Sequence, residues 1–120
     1  MTSLGSDSRI RWCGDSNDVI RTWPEDVRFN IGGDLDRLEK RLEPLDFASM
    51  GSTLPGVYEL RDRDAGHWYR VLYTHLGGFV YVLHCFTKTT NQTAQSDINI
   101  AKIRLNALDE EALHQKGKKR

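Results

Sequence analysis

The chain has 120 residues, of which 38% are hydrophobic and 28% charged, as expected for one globular domain. No apolar run approaches the roughly 20 residues that a membrane-spanning helix needs, and residues 1–8 contain no hydrophobic signal region. We therefore expect a cytoplasmic protein. We also expect it to work without a cofactor.

Net charge is zero, but the charges are unevenly distributed along the chain. Residues 1–60 hold 7 Lys and Arg against 11 Asp and Glu, which gives −4. Residues 61–120 hold 10 against 6, which gives +4. A neutral protein whose charges segregate in this way can present a basic surface, so the composition does not exclude a nucleic-acid ligand.

The cysteines and histidines do not have the spacing of a metal site. Cys13 and Cys85 stand alone in apolar surroundings, and the four histidines do not recur at zinc-ligand intervals. We expect both thiols to be buried and free, and we predict no bound metal.

The predicted elements begin with a disordered segment over residues 1–8 and a short strand at Ile10–Cys13. Ser16 is expected to cap a short helix that runs to about Thr22. These elements precede a stronger helical signal.

A long helix is predicted over about residues 24–43. The segment Thr22–Glu25 has the capping-box pattern, and Pro44 is expected to end the helix. Gly32-Gly33 interrupts the helix, so we expect a bend there. Apolar residues recur at steps of three and four, which predicts one buried stripe formed by Val27, Ile31, Leu35, Leu38 and Leu42.

The second half of the chain predicts a β-meander and a closing helix. After a loop at residues 47–56, three strands are expected at Val57–Asp62, Trp68–His75 and Phe79–Phe86, separated by glycine-containing turns. A helix capped by Ser96 is predicted over residues 96–108, followed by a charged tail at residues 109–120. The expected fold is α+β, with residues 9–108 forming a twisted antiparallel sheet of about four strands and helices packed on one face.

Strand alternation predicts a cationic cluster on the sheet face away from the helices. Its members are expected to be Arg61, Arg70, His84 and Lys88, with Trp68 and Phe86 beside them. Arginine and lysine suit a phosphodiester, and aromatic rings suit splayed RNA bases. Spacing alone favours a structural alternative, in which Arg61 pairs with Glu59 or a nearby Asp, Arg70 extends along the core and Trp68 is core.

Three consecutive motifs of this chain resemble those of HigB-type (phage Gp49-like) toxins in the RelE/ParE superfamily. They are Gly-Val-Tyr-Glu-Leu-Arg at 56–61, Tyr-Arg-Val-Leu-Tyr at 69–73 and Leu-His-Cys-Phe-Thr-Lys-Thr at 83–89. Residues 97–104 resemble the family's following helix, and residues 24–28 resemble the start of its long helix. The resemblance covers about residues 9–106.

The resemblance implies a small RelE-like domain that cleaves mRNA on the ribosome and is neutralised by a small helix-turn-helix (HigA-type) antitoxin. By position, it assigns Arg61, Arg70, His84 and Lys88 to catalysis. Beside these residues we expect Trp68 and Phe86, placed by strand alternation, and the helix residue Arg104 to bind RNA. His67 and Tyr69 are weaker candidates beside the site.

The catalytic assignment follows the chemistry of metal-free RNA cleavage, in which a 2′-hydroxyl attacks the adjacent phosphate. Arg61 and Arg70 are expected to stabilise the developing charge, and both are expected to be exposed. Lys88 is a candidate for charge stabilisation or proton transfer. His84 has the intrinsic pKa for proton transfer, and a core histidine is its equal alternative.

This chain departs from the family pattern at several basic positions. Thr89 replaces the second lysine of the last motif, and Asn91 and Gln92 stand where basic residues are frequent. The segment 47–55 also lacks a lysine. Two alternatives therefore stay open: a ParE-like inhibitor of DNA gyrase, and a degenerate module that only binds an antitoxin.

Overall fold

The computed structural model describes residues 8–90 and 92–118, with side chains described as far as residue 108. The disordered segment predicted for residues 1–8 therefore lies almost wholly outside the described residues. In chain order the elements are β1 (Ile10–Trp12), α1 (Ser16–Arg21), α2 (Glu25–Glu39), β2 (Phe47–Ser49), β3 (Val57–Asp64), β4 (His67–Leu76), β5 (Phe79–Lys88) and α3 (Gln95–Lys118).

The five strands form one mixed sheet in the order β1-β5-β4-β3-β2. The meander β3-β4-β5 is antiparallel as predicted, β2 pairs antiparallel with β3, and β1 lies parallel to β5. The predicted α+β class is therefore confirmed, with five strands where about four were expected. The additional strand is β2, which lies in the segment predicted to be a loop. The sequence does not predict this strand because only its pairing with β3 makes the segment extended.

Both faces of the sheet carry helices, whereas the sequence predicted helices on one face. The face covered by α1 and α2 contributes Leu60, Val71, Tyr73, Val80 and Val82 to a core with Val27, Ile31, Leu35 and Leu38. The opposite face contributes Val57, Leu72, Leu83 and Phe86 to a smaller core beneath Ala101 of α3, with Ile98 and Leu105 beside it. The third helix crosses to that face because its apolar side matches the second, smaller apolar area of the sheet.

Helix α2 begins and ends differently from its prediction. The capping box does not form, because Thr22 is the C-cap of α1 and its hydroxyl donates to the Val19 carbonyl (2.7 Å). The helix stops at Glu39, well before Pro44, because Arg41 adopts a left-handed φ of 64°. The amide of Leu42 then donates to the Arg37 carbonyl (2.8 Å), as in a Schellman motif, and Leu42 leaves the buried stripe.

The two serines predicted to cap helices do not do so. Ser16 is the buried first residue of α1, and its hydroxyl donates to the Val82 carbonyl of β5 at 3.2 Å. Ser96 is the second residue of α3, which begins at Gln95 and continues to Lys118, beyond the predicted end at 108.

The turns and thiols agree with the sequence more closely. Gly77 and Gly78 have φ values of 60° and 84°, the left-handed pair that a two-residue hairpin turn requires. Cys85 is buried, Cys13 is half-buried and both are free. Burial raises the pKa of both thiols, so neither is an activated nucleophile.

Candidate active site

The candidate active site lies on the sheet face that α3 covers, beyond the N-terminal end of that helix. Cross-strand pairs set which side chains share this face: Arg61 with Arg70, Arg70 with Phe86, and Trp68 with Lys88. The structure thereby brings together the predicted Arg61, Trp68, Arg70, His84, Phe86 and Lys88.

A β-bulge between β4 and β5 puts His84 on this face. Leu72 pairs with His84 whereas Tyr73 pairs with Val82, so Leu83 is the additional residue. Val82 packs in the core beneath α2, and without the bulge His84 would have the same orientation as Val82. The bulge also aligns Phe86 and Lys88 with Arg70.

Glu59 is the carboxylate that organises the two arginines. Its Oε1 accepts a hydrogen bond from Nη1 of Arg70 at 2.6 Å and lies 3.8 Å from Nη1 of Arg61. Arg61 also donates to Oδ1 of Asp46 at 3.1 Å. The Arg70 residue is only 4% exposed, whereas the side chain of Arg61 is 39% exposed. The expectation that both arginines are exposed is therefore wrong for Arg70.

Trp68 lies between two guanidinium groups. The guanidinium carbon of Arg63 is 4.6 Å from the centre of the indole ring, and that of Arg70 is 5.4 Å from it. A shallow cleft of about 400 Å³ next to this ring is lined by Asp46, Arg61 and Arg63 as well as Trp68. One indole and its flanking cations thus form a platform suited to a base and its phosphate.

The ammonium group of Lys88 is buried, and Nζ has no hydrogen-bond partner among the described residues. It lies 5.9 Å from the centre of the Phe86 ring. Burial, reinforced by the positive charge of Arg70, lowers the pKa of Lys88 below that of an ordinary lysine. A buried cation without a partner favours the arrival of an anion, which would supply the missing hydrogen bonds.

His84 is paired with a residue of α3. Its Nε2 is 2.8 Å from Oδ1 of Asp97, which lies in the first turn of that helix. The imidazole stacks on Phe86, with the ring centres 5.1 Å apart and an angle of 21° between the planes. The second nitrogen, Nδ1, is buried and lacks a hydrogen-bond partner within the described part of the chain.

Three predicted residues lie apart from this cluster. Arg104 donates to the Leu83 carbonyl (2.8 Å) and to Asp15 (3.2 Å), and so links α3 to β5 and to the turn before α1. Tyr69 is buried on the α2 face, 5.1 Å from the ring of Trp23. His67 is exposed at the β3–β4 turn.

Sequence reasoning assigned no functional part to Glu59, Arg63 or Asp97. Strand alternation contains the signal for the first two, since residues 59, 61 and 63 share one face of β3. Asp97 has no comparable signal, because its contact with His84 depends on where the first turn of α3 packs.

Within residues 8–90 and 92–118, no group of three or more His, Cys, Asp or Glu side chains is placed to hold a metal ion. None of the helices in that described part combines the length and the apolar character that a membrane span requires.

Comparison with known proteins identifies a family for this chain. The family model described as "Phage derived protein Gp49-like (DUF891)" matches residues 18–106, a range that contains the whole cationic cluster. No curated protein and no solved structure matches the chain significantly.

Proposed function

The chain belongs to the Gp49-like family of phage-derived proteins, a RelE/HigB-like toxin type, and on that basis we propose that it is a ribosome-dependent mRNA endoribonuclease. In this proposal the protein is the toxin of a type II toxin–antitoxin system of the HigB kind. It cuts mRNA without a catalytic metal and is neutralised by a small helix-turn-helix antitoxin.

The observation that carries the proposal is that Arg61, Arg70 and Lys88 share one sheet face with the rings of Trp68 and Phe86. Among the described residues the ammonium of Lys88 has no hydrogen-bond partner, which favours an anion at this face. These features suit an RNA segment whose phosphate meets the cations while its bases stack on the aromatic rings.

The proposed reaction is attack of a 2′-hydroxyl on the adjacent phosphate, with departure of the 5′-oxygen. Arg61 and Arg70 stabilise the charge of the pentacoordinate transition state. Lys88 protonates the leaving oxygen, because a lowered pKa makes an ammonium a stronger acid. In this proposal RNA binding opens the buried site around Nδ1 of His84, which then accepts the proton of the 2′-hydroxyl while Nε2 donates to Asp97.

A second candidate function is supported by the ion pairs of the two arginines. Glu59 and Asp46 already occupy guanidinium hydrogen bonds that RNA would need. In a degenerate module that only binds an antitoxin, these pairs would stay closed and the cluster would be structural.

Induced expression in a bacterial host, followed by primer extension on a cellular mRNA, tests the proposal. We expect growth arrest and mRNA breaks at preferred codons, and we expect co-expression of the antitoxin to restore growth. Lys88→Met should abolish the breaks, while Lys102→Ala, which removes an exposed cation of α3, should not.

The other functions predict different results in the same experiment. Growth arrest with intact mRNA and a DNA-damage response would indicate a ParE-like gyrase inhibitor. Normal growth at high expression of the folded protein would indicate the binding module.

A further inference from the structure

A second cleft, of about 400 Å³, lies on the sheet face opposite to the candidate active site. It is bounded by the C-terminal end of α2 and the segment that leads into β2. Its floor is aromatic and is formed by Phe47, Tyr58, Tyr73 and His75, whose rings contact one another at centre-to-centre distances of 5.7 to 6.3 Å.

Two leucines are exposed in the segment that borders this cleft. Leu42 lines its rim and is 49% exposed, and Leu45, three residues later, is 82% exposed. Large exposed apolar side chains next to a concave aromatic surface are typical of a protein-binding site, where they bury apolar area on binding.

The segment that presents these leucines is rigidly held. The Leu45 amide donates to Oδ1 of Asp34 at 2.8 Å, and Asp34 is itself buried in α2. Arg37 donates from Nε to the Glu43 carbonyl at 2.6 Å, and the Schellman motif fixes the Leu42 amide. A segment that is already ordered loses little conformational entropy on binding, so its exposed leucines are prepared for a partner.

The charges around the cleft favour an acidic partner. Arg9 and Arg41 line it together with Glu43. The Arg9 guanidinium already donates to the carbonyls of Gly78 (2.9 Å) and Leu38 (2.5 Å), so Arg41 is the main cation for a partner. Within the described part of the chain, the Arg41 guanidinium has no hydrogen-bond or ion-pair partner, and Arg41 is exposed. Burial and the neighbouring Arg9 lower the pKa of His75, so the imidazole is neutral at pH 7 and adds aromatic surface.

We infer that this surface docks the antitoxin. We call it the leucine–aromatic cleft: Leu42, Phe47, Tyr58 and Tyr73 line it, and the exposed Leu45 follows Leu42 in the same segment. The inference rests on the proposed function. The antitoxin offers an amphipathic segment whose apolar side chain enters the cleft and whose carboxylates meet Arg41 and Arg9. Binding at this site leaves the opposite, catalytic face of the sheet uncontacted by the docked segment.

The test measures, by isothermal titration calorimetry, the affinity of the purified full chain for the purified product of the neighbouring reading frame, which the proposed function expects to be a small helix-turn-helix antitoxin. The double variant Leu42→Ser with Leu45→Ser should weaken binding by about 100-fold or more, since it removes the apolar area that two large side chains would bury against the partner. Arg41→Asn should weaken binding by about tenfold while keeping a residue that tolerates the left-handed backbone. Glu43→Gln should strengthen binding.

Phe29→Ser and Ile103→Ser are matched controls, because these residues are also exposed (78% and 69%) but lie on the outer surfaces of α2 and α3. Both should bind as the wild type does. The Leu42→Ser, Leu45→Ser variant should retain mRNA cleavage, since its two residues lie on the other face of the sheet.

Each other outcome overturns the inference in a distinguishable way. Equal affinity of the wild type and the double leucine variant would place the docking site elsewhere and leave the proposed function intact. Failure of the wild type to bind would contradict the toxin–antitoxin assignment itself. A wild-type dimer that Leu45→Ser dissociates would assign the cleft to a second copy, and tighter binding after deletion of residues 1–7 would assign it to that segment.

Discussion

Glu59 decides how the two arginines of the candidate site will respond to substitution. Arg70 is buried and makes a 2.6 Å contact with this carboxylate, whereas Arg61 is partly exposed and shares Asp46 as a second partner. Both side chains face the position of the proposed phosphate. Only Arg70 is also needed to compensate the buried charge of Glu59. Substituting Arg61 should therefore affect mainly activity, whereas substituting Arg70 should affect both activity and stability.

Arg70→Ala should lower the free energy of unfolding by about 3–5 kcal/mol, because it leaves the buried Glu59 without its closest partner. Arg61→Ala should lower it by less than about 1 kcal/mol, since its pairs are exposed to solvent. Chemical denaturation measures both, and adding Glu59→Gln to Arg70→Ala should recover part of the loss. Equal stability of the two single variants would contradict the buried pair.

Each arginine substitution should also lower mRNA cleavage by on the order of 10²-fold, as for removal of one transition-state donor. The double variant should lose less than the product of the two, because both groups hold one phosphate. Primer extension at a temperature where all variants are folded measures this. Full toxicity of folded Arg61→Ala would remove that residue from the site.

Lys88 is expected to be needed for mRNA cleavage and to lower the free energy of unfolding. Its ammonium is buried without a described partner, so Lys88→Met should abolish cleavage and raise the free energy of unfolding by about 1–3 kcal/mol at neutral pH.

The pH dependence of that gain follows from the lowered pKa of Lys88. Below the folded-state pKa the lysine is charged in both states, and the cost of burying the charge is fully present. As pH rises from the folded-state pKa towards that of an ordinary lysine, the folded protein releases the proton first and the cost disappears. The difference between Lys88→Met and wild type should therefore shrink with rising pH, and a constant difference would contradict it.

At the scale of the elements, α2 continues through Gly32 and Gly33, where the sequence predicts a bend in one long helix. The helix tolerates both glycines because its inner side is fixed by the buried stripe against the sheet, which outweighs the low helical propensity of glycine. A methyl group added at either glycine would contact nothing within 4 Å.

Gly32→Ala and Gly33→Ala should each raise the free energy of unfolding by about 0.5–1 kcal/mol, because alanine has less conformational freedom to lose in a helix. Gly78→Ala is the control and should destabilise the protein, since Gly78 has a φ of 84° in the hairpin turn. Thermal and chemical denaturation compare the three variants. Destabilisation by either helical substitution would contradict the open space that the structure shows around Gly32 and Gly33.

At the scale of the whole molecule, one sheet separates two surfaces of different chemistry. The cations and aromatic rings around Trp68 lie on the α3 face, while the leucine–aromatic cleft lies on the α2 face. This division follows from strand alternation, since neighbouring residues of β3 and β4 point to opposite faces. It allows catalysis and antitoxin docking, both as proposed, to be altered by separate substitutions.

The zero net charge of the chain fits this arrangement. Acidic groups are concentrated in the first half, and three of them, Asp15, Asp46 and Glu59, pair with arginines of the second half, namely Arg104, Arg61 and Arg70. The basic excess of residues 61–120 is thereby partly neutralised on folding, and the cations of the candidate site form a local cluster within a neutral molecule.

The sequence by itself determined the elements whose signals are local. The stripe from Val27 to Leu38 requires a helix, Gly77-Gly78 requires a tight turn, and the alternation from Val57 to Tyr73 requires paired strands. These patterns predicted the α+β class, the meander and the shared face of Arg61, Arg70 and Trp68, because 3.6-residue and two-residue periods are properties of the chain alone.

Only the tertiary structure decided the features that depend on residues distant in sequence. The pairing of β2 with β3, the packing of α3 on the second face and the contact between Asp97 and His84 have no local signal. The bulge at Leu83 is decisive, because one additional residue reverses the orientation of everything after it and thereby places His84, Phe86 and Lys88 beside Arg70. The burial of Arg70 and its contact with Glu59 also depend on the tertiary structure. Strand alternation assigns a side chain to one face of the sheet, but the packing of that face decides whether solvent reaches the side chain.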